Sequence, residues 1–189
     1  MEQRDEVIEA LGEAQRLGFL GSRPVDEVVA HAESFVWALS AVRGSVVDLG
    51  AGGGVPGLVI AGRRPDLALV LVDRRTKRTD FLVRVVRRLG WSSRVEVRAV
   101  DTEILCRQAP ASFDAAVARG FGPPDRTLRT GRDLVRPGGL VVVSEPPTGD
   151  RWSPDLLDRL RVRAEAAPGG VACFWRLHDV GETDRRSDH

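Results

Sequence analysis

The chain has 189 residues, 42% of them hydrophobic and 29% charged, with a formal net charge of +1. That length suits one domain with a sizeable core, and the composition is that of a globular protein rather than a disordered or fibrous one. No apolar run reaches the roughly 18 residues that span a bilayer. The opening Met1-Glu2-Gln3-Arg4-Asp5-Glu6 lacks the basic-then-apolar layout of a signal peptide, so a cytoplasmic protein with no membrane partner is expected. Cys106 and Cys173 are too few and too far apart for a disulfide framework or a metal site. No metal is expected, and both read as buried thiols.

Val7, Ile8, Leu11, Ala14 and Leu17 recur at helical spacing and predict a helix over 3–17, which Gly18, Gly21 and Pro24 break. A second helix is predicted over 25–42, with Val28, Val29, Ala32, Phe35, Val36 and Leu39 on one face. From residue 46 strands and helices alternate. Strands are predicted at 46–49, 68–72, 94–98, 114–118 and 139–144, and helices at 56–63, 76–89, 125–135 and 153–160. The strands are short, rich in Val, Leu and Ala and poor in alternating polar residues, as expected when helices cover both faces of a sheet. The fold class is therefore α/β: a doubly wound, mostly parallel, Rossmann-like sheet preceded by N-terminal helices. Gly169-Gly170 and the run from Val171 to Val180 predict a last strand in a terminal hairpin. Residues 1–44 read as a helical segment and 181–189 as a frayed, disordered tail. The whole of 1–189 reads as a single domain without repeats.

The strand Val46-Val47-Asp48-Leu49 runs into a loop, Gly50 to Gly57, with five glycines in eight residues. Such a loop lets a ligand approach the backbone closely and supplies positive φ where a tight turn needs it. Gly52-x-Gly54-x-x-Gly57 fits the dinucleotide fingerprint, with Asp73 at about the right distance to bind a ribose hydroxyl. Asp48, Gly50, Gly52 and Gly54 instead fit the D-x-G-x-G-x-G pattern of S-adenosyl-L-methionine (SAM) methyltransferases. Asp48 favours the second reading, because a carboxylate at the strand end repels a pyrophosphate but suits the cationic ammonium and sulfonium of SAM. A turn that binds nothing is the third reading, and the entropy lost by ordering so many glycines argues against it.

Ligands of open parallel sheets bind beyond the carboxyl ends of the strands, near the switch point. Asp73 ends the second strand and can accept both ribose hydroxyls; a helix N-cap is its alternative. Asp101 and Thr102 follow the third strand and suit the adenine, or else cap a short helix at 102–107. Arg119 follows the fourth strand, where it can bind a cofactor carboxylate or a substrate phosphate in bidentate fashion, or pair structurally with Asp48 or Asp114. His31, Trp37, Trp91, Trp152 and Trp175 read first as packing residues. No cysteine or histidine constellation marks a catalytic group, so no catalytic residue is assigned.

Charge is unevenly spread. Residues 1–34 are acidic, whereas 63–98 carry Arg63, Arg64, Arg74, Arg75, Lys77, Arg78, Arg84, Arg87, Arg88, Arg94 and Arg98 against Asp66, Asp73, Asp80 and Glu96. This is either a polyanion-facing side or a solvated helix face in an arginine-rich chain.

Two stretches resemble the glucose-inhibited division protein B family: Asp48-Leu49-Gly50-Ala51-Gly52-Gly53-Gly54-Val55-Pro56-Gly57 and Val72-Asp73-Arg74-Arg75-Thr76-Lys77-Arg78-Thr79-Asp80-Phe81-Leu82. The family's patterns there are D-x-G-x-G-x-G-(F/L)-P-G and L-D-(S/T)-x-x-K-R-x-x-F-L. Ala118-Arg119-Gly120-Phe121 is similar to its S-R-A-(F/V) step, and Leu134 to Gly139 to its L-x-x-G-G turn. The likeness spans roughly residues 25–145. It implies a class I SAM-dependent methyltransferase that methylates a guanine of small-subunit ribosomal RNA to 7-methylguanosine. Gly50, Val55, Asp73, Asp101, Thr102 and Arg119 are then expected at the cofactor. Arg75, Lys77, Arg78 and Arg119 are expected on the RNA. The chain departs from the family in three places. A W-N-x-x-x-N-L opening is missing, R-H-x-x-D-S is reduced to His31-Ala32-Glu33-Ser34, and Ser144-Glu145-Pro146-Pro147 replaces a lysine after the fifth strand. Glu145 is expected to repel RNA phosphate there. The alternatives are a SAM methyltransferase of a small molecule or protein, and a non-catalytic or NAD-binding domain.

Overall fold

Strands apolar on both faces are stable only between two helical layers, and the arrangement follows from that demand. The computed structural model describes residues 2–146, 151–167 and 169–178. The strands are β1 (Ser45–Leu49), β2 (Ala68–Asp73), β3 (Val95–Ala99), β4 (Phe113–Ala118), β5 (Val135–Ser144), β6 (Val162–Glu165) and β7 (Val171–Arg176). They form one sheet in the order β3-β2-β1-β4-β5-β7-β6. The first five are parallel, and β7 lies antiparallel between β5 and β6. Strand order therefore reverses between β1 and β4, which opens a crevice at their carboxyl ends.

The helices are α1 (Glu2–Arg16), α2 (Val25–Ala38), α3 (Gly57–Arg63), α4 (Thr76–Arg88), α5 (Thr102–Gln108), α6 (Pro124–Leu134) and α7 (Pro154–Leu160). Phe35 of α2, Leu58 and Ile60 of α3 and Phe81 and Leu82 of α4 bury one sheet face, and Val7, Leu11 and Ala14 of α1 extend that core. Leu105 of α5, Leu128 and Leu134 of α6 and Leu156 and Leu160 of α7 cover the other. In β1, Val46 belongs to the first core and Val47 to the second, as the two-residue period of a strand requires.

The predicted elements appear with local corrections. The second helix ends at Ala38 rather than 42; Arg43 and Arg64 donate to the carbonyls of Leu39, Ser40 and Val42 in the turn that follows. The fifth strand starts at Val135, not 139. A bulge lets Val135 pair with Phe113 before Leu140 pairs with Ala115, and Gly138 supplies φ +75° within it. The terminal hairpin is β6–β7, with β7 ending at Arg176. The expected tail at 181–189 and the end of the predicted run at Val180 lie outside the described residues, as does Pro147. Trp91 is buried, but Trp37 is 56% exposed, contrary to the packing role expected of it.

Asp114 ties the strand starts together. Its carboxylate accepts from the Ser45 N–H at 2.7 Å, the Ser45 hydroxyl at 3.1 Å and Arg136 Nε at 2.6 Å. Gly44 admits it: its φ is +93°, and an added Cβ would lie 2.2 Å from Asp114 Oδ2. Gly44→Ala is expected to lose roughly 2–4 kcal/mol, from left-handed strain plus a broken carboxylate site. Urea denaturation measures this, and an unchanged midpoint would refute the packing argument.

Candidate active site

A cleft of about 380 Å³ opens at the carboxyl ends of β1 to β4. Gly50 forms its floor after β1, Val72 and Asp73 enter from β2, Val100 and Asp101 from β3, and Gly120 and Phe121 from β4. Arg74, Arg75 and Arg78 line the α4 side, Thr102 begins α5, and Arg126 of α6 faces them.

Asp73 is the buried acid of the wall, 6% exposed. One oxygen accepts the Gly52 N–H at 3.1 Å and lies 3.5 Å from Arg78 Nη1. The other accepts the Arg75 N–H at 2.9 Å, so the carboxylate also steadies the start of α4, where the N-cap Arg75 offers no side-chain cap. Asp101 caps α5 by accepting the Glu103 N–H, the second of its anticipated roles, and also lines the cleft. Thr102 follows as the first residue of α5, where a backbone N–H has no helical partner.

The glycine loop divides its labour. Gly50, with φ +69°, lines the cleft, and an added Cβ would sit 3.0 Å from the Phe121 ring. Gly52 faces Arg78 and donates to Asp73. The others serve packing. A Cβ on Gly53 would meet the Phe19 carbonyl and Ala14, one on Gly54 would strike Leu58, and one on Gly57 would strike Leu71 and Asp48. Gly54 and Val55 are thus buried in the core side of the loop, outside the cleft wall, and the loop joining α1 to α2 rests on Gly53.

Asp48 also differs from expectation. It lies beneath the loop rather than in the wall, fully buried, with Oδ2 accepting the Gly57 N–H at 2.9 Å and Oδ1 lacking a hydrogen-bond partner among the described residues. Burial pushes its carboxyl pKa up to about 7, with the Gly57 N–H opposing, Asp73 adding and Arg119 opposing. Arg119 is half-buried, outside the cleft wall, and makes no hydrogen bond or ion pair among the described residues. The anticipated pairing with Asp114 is absent because that residue lies at the start of β4 and Arg119 beyond its end; Arg136 and Ser45 hold the Asp114 carboxylate instead. Burial and Arg23 lower the Arg119 guanidinium from its usual range, while Asp48 opposes them. His31 is depressed by burial, then by Arg119 and Arg23. Lys77 is exposed on α4 away from the wall. Glu145 does not stand as a bare acid: Arg151 Nε donates to it at 3.0 Å and Trp152 Nε1 at 2.6 Å.

The family model for rRNA small subunit methyltransferase G, also called GidB, matches residues 14–145. The chain belongs to the GidB family. Among relatives, the ribosomal RNA small subunit methyltransferase G of Salinispora arenicola is 46% identical over 103 residues, covering 52% of this chain and 42% of its own. That of Sorangium cellulosum is 40% identical over 151 residues, covering 75% and 61%. The chain thus spans under two thirds of the length of these relatives. Among solved structures, a geranyl diphosphate methyltransferase superposes with TM-score 0.65 at 14% identity, covering 82% of this chain and 81% of its own. An O-methyltransferase family protein from Burkholderia thailandensis gives 0.61 at 15%, covering 83% and 59%. The cyclase SpnF gives 0.56 at 23%, covering 75% and 58%. These neighbours establish the class I SAM-methyltransferase fold, and the cyclase among them shows that chemistry must be argued from the site.

Within the GidB frame, Val72, Val100, Gly120, Phe121, Arg74 and Arg126 join the wall without having been assigned from the sequence. Arg126 was the most legible, since Pro123-Pro124 marks a helix start just after β4 and places its first turn at the crevice. Among the described residues no cluster of three or more His, Cys, Asp or Glu could hold a metal, and no helix is long and apolar enough to cross a membrane.

Asp48 sets a pH test. Its folded pKa of about 7 exceeds the unfolded 3.8, so the native state retains a proton that the unfolded chain releases between them. Its burial therefore weakens stability progressively as pH rises from about 4 to about 7, at up to about 1.4 kcal/mol per unit, and by a constant amount above. Asp48→Asn is expected to gain on the wild type by roughly 2–4 kcal/mol between pH 4 and pH 8. Paired denaturation curves at the two pH values report the difference, and a pH-independent gap would show that Asp48 is ionised throughout.

Proposed function

We propose that the protein is a SAM-dependent methyltransferase that methylates a guanine base of small-subunit ribosomal RNA in the cytoplasm. Asp73 carries the reading: a nearly buried carboxylate beside Gly50 and Gly52, at the position where a ribose diol would place its two hydroxyls. The chemistry of the wall fits the rest of the cofactor. Val72 and Val100 offer apolar surface to an adenine, with Asp101 and the Thr102 N–H at its polar edge. Asp48 contributes negative potential from beneath the loop, and Arg119 lies beyond it to receive a carboxylate or phosphate. When bound, the cofactor supplies an electrophilic methyl group on sulfur.

The protein's part is alignment and exclusion of water. The imidazole nitrogen of guanine has a free lone pair, so transfer needs no general base, in keeping with a cleft whose wall holds neither histidine nor cysteine. Phe121 over Gly50 narrows the approach from the β4 side. Family membership and the face of α4 support an RNA acceptor: Arg74, Arg75, Lys77, Arg84, Arg87 and Arg88 are exposed, and of these only Arg88 forms an ion pair, with Glu13, among the described residues. The pairing of Glu145 with Arg151 and Trp152 removes the repulsion that a free carboxylate would impose.

The direct test is transfer of labelled methyl from SAM to unmethylated small ribosomal subunits at low salt; absence of incorporation with SAM binding intact refutes the acceptor. Asp73→Ala is expected to weaken SAM binding by roughly 1–3 kcal/mol, the cost of unpaired ribose hydroxyls. Calorimetric titration checks it, and unchanged affinity in a folded variant would misplace the ribose.

A further inference from the structure

Four guanidinia line a cleft assigned above to a cofactor that is itself cationic. Arg74 and Arg75 lead into α4 and make no side-chain ion pair among the described residues. Arg126 stands on the opposite wall, in the first turn of α6, with an exposed 3.3 Å pair to Glu103. Such pairs are weak and easily exchanged. Arg78, in the first turn of α4, lines the same cleft and leans back onto Asp73. A cationic cofactor leaves this surplus uncompensated, and phosphates bind arginine forks well.

Among the described residues Asp73 has three donors, and they are not equal. The Gly52 and Arg75 N–H groups, at 3.1 and 2.9 Å, are fixed backbone; Arg78 Nη1, at 3.5 Å, is the longest and the only side chain. That nitrogen also lies 3.7 Å from where a Cβ of Gly52 would sit, over the glycine loop. A ribose diol reaching Asp73 must enter this space, so it displaces Arg78 and not the backbone donors.

We propose that the mouth of the cleft is a phosphate subsite for the RNA strand, formed by Arg74, Arg75 and Arg126 and completed by Arg78 once a ribose diol has taken Asp73. The inference rests on the cofactor reading above. It adds that nucleoside and RNA bind cooperatively, with Arg78 handed from the carboxylate to a phosphate. Linkage makes the effect reciprocal: RNA must tighten the nucleoside by the same factor.

The test uses the full chain, a short fluorescein-labelled single-stranded oligoribonucleotide, and S-adenosylhomocysteine, which binds as the cofactor would but transfers nothing. Saturating S-adenosylhomocysteine is expected to tighten RNA binding, read by anisotropy, by about fivefold to tenfold. Arg78→Ala and Arg78→Gln should each lose that enhancement while still binding S-adenosylhomocysteine by calorimetry. Arg74→Ala and Arg126→Ala should weaken RNA with or without the nucleoside and lower the salt-dependence slope by about 0.7 each. Enhancement that survives in both Arg78 variants overturns the handover, as does a wild type whose RNA affinity ignores S-adenosylhomocysteine. Equal competition by uridine 5′-monophosphate would make this a mononucleotide subsite and overturn the strand assignment. S-adenosylhomocysteine that fails to bind the wild type at all would instead bring down the cofactor reading, and this inference with it.

Discussion

Everything at the switch point depends on how closely the backbone between residues 50 and 57 can approach its surroundings. Three layers converge on it: the loop after α1 through the Phe19 carbonyl, α4 through Leu82, and β2 through Leu71 and Asp73. A side chain at Gly53, Gly54 or Gly57 would push one of these layers away. Most of the glycines are therefore conditions for packing, and the cleft follows from the packing. Of the loop glycines only Gly50 lines the cleft, and Gly52 reaches it through Asp73, to which its N–H donates. The N-terminal helices belong to the same construction, because Phe19 and Leu20, between α1 and α2, lie against Gly53.

The second constraint is electrostatic. Asp48 and Asp73 flank the loop from below and from the side, and the charge of Asp73 disfavours ionisation of Asp48. Asp73 is satisfied by two backbone N–H groups and an arginine, whereas Asp48 has a single donor and an unpartnered oxygen. Hydrogen bonding to the charged form and burial against it are thus divided between the two residues. Arg119, half-buried and without a hydrogen bond among the described residues, favours the charged form of Asp48, while its own charge is opposed by burial and by Arg23. A carboxyl that burial raises into the neutral range thus interacts with a half-buried arginine whose own charge burial also disfavours.

The fold was legible because its signals are periodic and mutually consistent: five apolar strands, helices between them, and a glycine-rich turn after the first. Asp73, Asp101, Thr102, Arg75 and Arg78 were legible as cleft neighbours because strand ends in such a sheet must converge. What escaped depends on distances along no single element. That Asp48 turns inward to Gly57 follows from α3 packing on β2, not from the motif. The start of β5 at Val135 rests on a bulge that Gly138 permits, and a Pro-Gly-Gly sequence by itself reads as a turn. Trp37 carries no sign of exposure in its sequence, since its neighbours Phe35 and Val36 pack inward.

Glu145 shows why a departure from a family pattern has to be judged by charge in place and not by residue identity. A lysine lost after the fifth strand removes one positive charge, and a glutamate adds a negative one. Arg151, folded back over Trp152 and onto Glu145, restores one positive charge within the same few ångströms, and the indole N–H satisfies a further lone pair. The local sum is near neutral where the family pattern is positive. Attraction for an anion at the carboxyl end of β5 is correspondingly weak, whereas the exposed arginines of α4 leave that face positive. Arg74 adds one more positive charge on the α4 side, at a position where the family pattern has serine or threonine, so the balance of charge around the cleft differs from the pattern at both places.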